Sequence, residues 1–308
     1  MNNKESVLKK LKSVTNIKSL KLPANINFEE AEGVVSIILD AKEDKTPQGV
    51  VANMQQDASA FEGWVICMKA AVPEWTFQLD WTVPKNKANG HYQRFLYRVS
   101  NFQKYYGDWF SIADGRKIDL EALQIRENEK YALNAPTNSD NRINNADHSP
   151  ENFIENTIIK NQPCELRGMF NIATLRRQLP VGVFRKSVNR ENAIFTHGKS
   201  AVDIWGISAN DLVIFELKAP GNEKIGVISE LFFYAMVMKD EQEGKFVRDH
   251  SWGTDIQSTT TLKAMVLAEN LHPFIGRRVF EILTNPFKGR IQFGYIKTPV
   301  NFGFKKMY

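Results

Sequence analysis

The segment Leu212–Ala219 (LVIFELKA) carries a carboxylate and an ammonium group at the end of a continuous apolar run. An unbroken apolar run of this length is typical of a strand buried on both faces of a sheet. Because side chains alternate across a strand, Glu216 and Lys218 share one face, while Phe215 and Leu217 share the other. Buried charges are costly to desolvate, so the sequence predicts that a further group compensates Glu216 and Lys218.

A second charged residue lies in the preceding apolar segment, Ala201–Ser208 (AVDIWGIS), where Asp203 stands between Val202 and Ile204. Only the turn-forming residues 209–211 separate the two segments, which predicts a β-hairpin. If the hairpin pairs Asp203 beside Glu216, two carboxylates and the lysine converge on one small region.

Two neighbouring carboxylates raise each other's pKa unless a cation lies between them. Magnesium fits such a pair, because it binds through one or two carboxylates and takes water and phosphate oxygens as its other ligands. The cofactor expected is therefore Mg²⁺, with Mn²⁺ able to substitute, and Asp203 and Glu216 are the expected metal ligands. A metal here would polarise a phosphoryl oxygen, and Lys218 could orient or deprotonate the attacking water.

A fourth acidic residue is expected from the helix that precedes these strands. Glu155 could reach the cluster, and Glu151 lies one turn earlier on the same helical face, so the sequence leaves both open and favours Glu155. The structural alternative for the whole cluster is a buried salt bridge that only fixes the hairpin.

The C-terminal half has the element order of a mixed sheet flanked by helices. Ser149 and Pro150 predict the start of a helix, as N-cap and first helical residue. Later segments predict strands at 180–184, 201–208, 212–219, 262–268 and 290–297, and helices at 225–238 and 274–283.

Asp203, Glu216-Leu217-Lys218 and this element order resemble the PD-(D/E)XK nuclease superfamily, which includes restriction endonucleases and DNA-repair nucleases. The similarity covers roughly residues 150–300 and is to a bacterial branch, although Val202 replaces the signature proline. The resemblance implies a restriction-endonuclease-like α/β fold and a metal-dependent deoxyribonuclease. It makes Asp203 and Glu216 metal ligands, Lys218 the third signature residue and Glu155 the helix acid.

The N-terminal half predicts a smaller α+β accessory domain over residues 1–133. A short helix is expected at 5–13 and strands at 33–41, 63–71 and 75–83, followed by an aromatic-rich segment that we interpret as the core face of a helix. Its aromatics interleave with basic residues, so base stacking is the alternative. The Asn-rich stretch 134–149 predicts a linker, and residues 150–308 form the nuclease-like domain.

Charge points to a polyanionic partner. The formal net charge is +5, the whole excess lies in residues 151–308, and residues 171–190 contain five basic and no acidic side chains. We expect Arg176, Arg177, Gln178 and Lys199 to contact DNA phosphates; solvated loop charges are the alternative.

Other partners and the compartment are expectations of the same kind. The N-terminal domain is the expected contact for a protein partner or a second copy of the chain. Two separate cysteines, the polar N-terminus and the lack of a long apolar run predict a cytoplasmic protein without membrane contact. A catalytically silent nucleic-acid-binding or interaction protein of the same fold, or a ribonuclease, is the alternative function.

Overall fold

The structure is a computed structural model that describes residues 3–39, 48–136, 149–195, 200–298 and 305–307. Up to residue 133 the elements are α1 (Asn3–Thr15), β1 (Ile26–Ala31), β2 (Val34–Leu39), α2 (Gln48–Val51), α3 (Phe61–Ala71), β3 (Thr76–Trp81), α4 (Gly90–Tyr106), β4 (Phe110–Ile112), α5 (Asp114–Lys117) and β5 (Tyr131–Leu133). From residue 150 onward they are α6 (Pro150–Asn161), α7 (Cys164–Phe170), β6 (Arg176–Pro180), β7 (Val183–Phe184), β8 (Ala201–Ile207), β9 (Asp211–Leu217), α8 (Gly226–Gln242), β10 (Phe246–Arg248), α9 (Ser251–Gln257), β11 (Thr261–Ala268), α10 (Arg277–Thr284), β12 (Ile291–Lys297) and β13 (Lys305–Lys306).

The chain divides into two compact units that are not contiguous in sequence. The first comprises Met1–Arg126, Lys224–Glu230 and His272–Pro286, and the second comprises Glu127–Glu223, Leu231–Leu271 and Phe287–Tyr308. Sequence analysis placed residues 224–230 and 272–286 in the nuclease-like domain, whereas in the structure they pack with the N-terminal residues. Most of the expected linker, residues 137–148, lies outside the described residues.

A close backbone approach explains why residues 224–230 join the first unit. The backbone N–H of Gly63 donates to the Ser229 hydroxyl at 3.2 Å. A Cβ atom on Gly63 would lie 2.7 Å from the Ile225 carbonyl oxygen, so a larger residue would separate the two segments. Such an approach depends on positions far apart in the chain, and a pattern in one segment does not predict it.

In the first unit the strands form a sheet of order β1-β2-β3-β4. β1 and β2 are antiparallel, and a two-residue turn joins them in which Glu32 and Gly33 both have positive φ. β2, β3 and β4 run parallel to one another. The predicted helix at 5–13 and the predicted strand at 75–83 are confirmed as α1 and β3. The strand expected at 33–41 is confirmed as β2, although residues 40 and 41 lie outside the described range.

The predicted strand at 63–71 is wrong, because these residues belong to helix α3. The residues from Phe61 to Met68 are all buried, so the segment shows no one-sided apolar stripe of the kind that marks a surface helix. A short run of this kind fits a buried strand and a buried helix equally well. The aromatic-rich segment does form the expected helix, α4, whose buried residues include Tyr92, Phe95 and Phe102.

In the second unit a mixed sheet has the strand order β13-β12-β11-β9-β8-β6. β6, β8 and β9 are antiparallel neighbours, whereas β9, β11 and β12 are parallel. Helix α8 follows β9 in the connection to β11, as a parallel pair requires. The predicted α/β class, with a mixed sheet and accompanying helices, is confirmed.

The strand expected at 180–184 is misplaced. β6 runs from Arg176 to Pro180, inside the basic segment 171–190, and it is the edge strand beside β8. Val183 and Phe184 form β7, which belongs to a separate sheet of order β10-β5-β7. Within β6, Arg177 and Leu179 are both buried, so a buried arginine hides the alternation that marks a strand.

One face of the large sheet packs against helices α6 and α7. The shared core cluster consists of Ile158, Leu166, Phe170, Ile172, Leu175, Ile204, Val213, Phe215, Leu217, Met265, Leu267 and Ile296. The predicted start of α6 is confirmed, since the Ser149 hydroxyl accepts from the Asn152 N–H at 3.3 Å and Pro150 is the first helical residue. None of the helices in the described segments combines the length and apolar character needed to span a membrane.

Candidate active site

The β8–β9 hairpin brings Asp203 to the end of β9, where Glu216 and Lys218 flank Leu217 in the chain. Its register pairs Ile204 with Phe215, so the next pair outward is Asp203 with Glu216. Opposite residues of an antiparallel pair project from the same face. The Leu217 N–H donates to Asp203 Oδ2 at 2.8 Å, which fixes the carboxylate against the end of β9. Asp203 therefore lies beside the segment that carries Glu216 and Lys218.

Lys218 joins this pair from the same strand. Its Nζ donates to Glu216 Oε1 in an ion pair whose side chains are only 7% and 2% exposed. Its backbone N–H donates to the Leu267 carbonyl at 2.8 Å, which continues the pairing of β9 with β11. Phe215 and Leu217 belong to the core cluster on the opposite face, so the predicted alternation is confirmed. Lys218 and Glu216 thus lie in the interior and not in bulk water, whereas Asp203 is only partly buried.

Glu155 is buried but faces different partners from those expected. The Arg177 guanidinium donates to its carboxylate twice, from Nε to Oε1 and from Nη2 to Oε2, both at 3.2 Å. Gln178 Nε2 donates to Oε1 at 2.8 Å. Burial raises the pKa of Glu155 above its ordinary value of 4.5, and the bonds from Gln178 and Arg177 only partly oppose that shift. Glu155 thus acts in a buried salt bridge with β6.

Two of the expected phosphate contacts have structural partners. Arg177 is buried against Glu155 and also donates from Nη1 to Asn156 Oδ1 at 3.2 Å. The Arg176 guanidinium lies over the rings of Trp205 and Trp252, at 5.1 and 5.3 Å from their centroids. We therefore no longer expect Arg177 to face a phosphate, because its donors serve the interior. Lys199 lies outside the described residues.

Gln178 links the salt bridge to the hairpin. β6 pairs with β8 on either side of it, Arg177 with Ile204 and Leu179 with Val202, so Gln178 lies level with Asp203. Its φ of 50° is left-handed, which a side chain with a Cβ rarely adopts. The Gln178 amide reaches Glu155 from the position next to Asp203. Sequence analysis chose Gln178 for phosphate binding, and nothing in the sequence signals the left-handed backbone.

Glu151 contacts the loop that leaves β9. Its Oε1 accepts from the Ala219 N–H at 3.2 Å and from Asn222 Nδ2 at 3.1 Å. The two candidate helix acids therefore contact different elements, Glu155 the edge strand β6 and Glu151 the residue after Lys218. Sequence analysis did not identify Asn222, since an asparagine in a turn is ordinary on pattern alone.

A metal at this position would be held by two carboxylates. Among the residues that the structure describes, no three or more His, Cys, Asp or Glu side chains form a group that could hold a metal ion, so Glu155 does not complete a protein shell. Asp203 and Glu216 nevertheless supply the hard oxygen donors that Mg²⁺ prefers, and one or two carboxylates are its usual protein ligands. The donor set fits magnesium that keeps water or takes substrate oxygens.

No family model, no curated protein and no solved structure matches this chain.

Proposed function

We propose that the chain is a magnesium-dependent nuclease that hydrolyses phosphodiester bonds in DNA. One observation carries the proposal: Lys218 is ion-paired with Glu216 in the interior, and Asp203 accepts from the N–H of Leu217, the residue between them. The restriction-endonuclease-like form of the fold is part of this proposal. The order of elements supports it, with helix α6 before the three antiparallel strands β6, β8 and β9, and helix α8 before the parallel strand β11.

Each residue of the cluster has a defined part in the proposed reaction. Asp203 and Glu216 bind the metal through carboxylate oxygens, and Asp203 is held in place by the Leu217 N–H. Bound magnesium supplies polarisation of a phosphoryl oxygen and lowers the pKa of a nearby water. Lys218, whose ammonium is held by Glu216, would orient the attacking water through Nζ and stabilise the negative charge that develops on the phosphoryl oxygens.

The helix acids position these groups. Glu155 anchors Gln178 beside Asp203, and Arg177 balances its charge. Glu151 holds the Ala219 N–H and the Asn222 amide, and so fixes the chain where it leaves Lys218. In this proposal both acids act through the residues they hold, and neither contacts the substrate.

The test is a cleavage panel of supercoiled plasmid, single-stranded DNA and RNA, each with and without Mg²⁺. The variants are Asp203→Asn and Lys218→Met. Lys263→Met is the matched control, because Lys263 pairs with Asp211 at the other end of β9. We expect magnesium-dependent cleavage of DNA that falls by about 100-fold or more in both variants and persists in the control, since losing one positioned electrostatic group at a reacting centre costs about that much.

Three outcomes would contradict the proposal. A parent protein that cleaves nothing with magnesium or manganese is not a nuclease. Equal cleavage by the parent and by Lys218→Met would show that Lys218 takes no part in the reaction. Cleavage of RNA alone would show that the substrate is RNA and not DNA. A thermal shift on adding magnesium that disappears in Asp203→Asn, without cleavage, would indicate a metal-binding but catalytically silent protein.

A further inference from the structure

The first unit contains a cavity of about 370 Å³ that the proposed nuclease reaction does not use. This volume lies in the range of pockets that bind small ligands. Its lining combines two cations, three aromatic rings and one acid, in addition to apolar residues: Lys69, Arg278, Tyr105, Tyr106, Trp109 and Asp108. All the lining residues belong to the first unit, some from α3 and α4 and others from α10.

The aromatic wall differs from the other aromatics of helix α4. Tyr92, Phe95 and Phe102 are fully buried and form the core face. Tyr105 and Trp109, at the end of the helix and just beyond it, are only half-buried where they line the cavity. Tyr106 closes the wall, because its hydroxyl donates to the Leu283 carbonyl at 2.9 Å. A planar ligand would cover aromatic surface that is now partly open to solvent.

Lys69, one of the two cations of the cavity, is held in place. Lys69 Nζ donates to the carbonyl oxygens of Pro73 and Trp75 at 2.6 and 2.8 Å, and it lies 5.2 Å from the Trp109 ring centroid. Burial lowers the pKa of Lys69, Glu74 opposes that shift, and the charge of Arg278 lowers the pKa further. An anion bound between Lys69 and Arg278 would relieve the repulsion between them.

We propose that this cavity binds a nucleoside phosphate, one unpaired nucleotide at a time, with its base on the aromatic wall and its phosphate between Lys69 and Arg278. Aromatic rings beside cations are the combination by which proteins hold single strands without reading their sequence. A base inside a duplex is already stacked on both sides, so paired DNA cannot fill the cavity in this way. The proposal does not depend on cleavage by the second unit.

The test measures binding of a fluorescein-labelled oligothymidylate of about 10 nucleotides by fluorescence anisotropy, in chelator so that no cleavage intervenes. Arg278→Ala is the principal variant, and Arg277→Ala is the matched control. Arg277 is the neighbouring residue of α10, is 76% exposed and pairs with Glu281 at 2.8 Å, but does not line the cavity. Both substitutions remove one positive charge from adjacent positions.

We expect Arg278→Ala to weaken binding and to reduce the slope of log affinity against log salt by about 0.7, the value for one lost phosphate contact on a single strand. Arg277→Ala should keep the parent slope. Tyr105→Ala should weaken binding about 5- to 150-fold, the range for one stacked base, and Tyr105→Phe should restore it. Melting temperatures equal to the parent's would show that these variants are folded.

Thymidine monophosphate as competitor identifies the source of the ligand. If thymidine monophosphate displaces the oligonucleotide only at far higher concentration, the natural ligand is a nucleotide within a strand. If the monophosphate and the oligonucleotide bind equally, the natural ligand is a free nucleotide. Either result supports nucleotide binding in the cavity, provided that Arg278→Ala weakens that binding. Three results would overturn the proposal: no binding by the parent, equal losses in Arg277→Ala and Arg278→Ala, or the same losses on duplex DNA. Cleavage assays on the second unit are independent of all three.

Discussion

Replacing Arg177 with methionine tests whether this residue is structural or contacts nucleic acid. In the structure its guanidinium forms two parallel bonds to Glu155, and the two side chains are 8% and 6% exposed. Methionine keeps much of the side-chain volume but removes the charge. Glu155 would then be a buried carboxylate with only the Gln178 amide as a described donor.

The magnitude follows from this burial. Breaking a buried ion pair by removing one partner costs about 3–5 kcal/mol, because the remaining charge stays desolvated. That is a large share of a typical free energy of unfolding, about 5–15 kcal/mol. Glu155→Gln in the Arg177→Met background removes the remaining charge and still offers Gln178 an acceptor oxygen. The double variant should therefore recover most of the loss.

The loss should also depend on pH, with a definite sign. The folded-state pKa of Glu155 is already raised above 4.5 by burial, and losing Arg177 raises it further. As pH falls from neutrality toward the unfolded-state pKa, the folded variant takes up its proton before the unfolded chain does. The deficit of Arg177→Met relative to the parent is thus largest at neutral pH and shrinks on acidification. The double variant should lack this pH dependence.

Urea unfolding followed by circular dichroism at several pH values measures these differences, with Arg277→Met as a control on an exposed pair. The control should lie within about 0.5 kcal/mol of the parent, as is usual for surface substitutions. The reasoning is refuted if Arg177→Met unfolds like the parent and instead loses DNA affinity with a shallower salt dependence. That result would return Arg177 to the phosphate contacts expected from the sequence.

Two further predictions concern packing and thiol chemistry in the first unit and at α7. Gly226→Ala should lower the free energy of unfolding in urea by about 1–3 kcal/mol, because the added Cβ would lie 2.4 Å from the Gln55 carbonyl oxygen. Gly115→Ala is the control, since its Cβ would meet nothing within 4 Å and the protein should keep its stability. Equal effects of the two substitutions would contradict this packing. Cys67 is buried, and burial raises the pKa of its thiol, whereas Cys164 is exposed. A thiol reagent should therefore modify only Cys164 in the folded protein and both cysteines after denaturation. Rapid reaction of Cys67 in the folded protein would contradict its buried position.

The hairpin of the candidate site was predictable from sequence because its determinants are local. Alternation fixes which side chains of β9 share a face, and the short connection after β8 fixes which strand lies beside it. These two rules are enough to place the strand of Asp203 beside the strand of Glu216, whereas the register of Asp203 against Glu216 entered the prediction only as a condition. The same local rules predicted α6, α8, β11 and β12.

What the sequence did not predict depends on partners distant in the chain. From the sequence alone Arg177 resembles a charged residue of a surface loop. Its burial depends on the charge of Glu155, which lies more than twenty residues earlier in the chain. Residues 61–68 of helix α3 are all buried, so the helix has no exposed stripe there and its pattern does not separate helix from strand. The left-handed backbone at Gln178 has no glycine or asparagine to signal it. Each of these features is set by tertiary contacts and not by residue spacing.

The way in which this protein pairs its buried acids separates the candidate site from its structural salt bridges. Three buried glutamates in the described residues each receive two bonds from one arginine fork; they are Glu62 with Arg98, Glu155 with Arg177 and Glu241 with Arg248. Glu216 instead pairs with a lysine two residues along its own strand, beside Asp203. Arginine keeps its proton and fixes geometry, whereas lysine is a mobile point charge that can change its protonation when buried. A pair meant only to hold the hairpin would be served better by the fork that the fold uses elsewhere, so the choice of lysine here favours a chemical role for this pair.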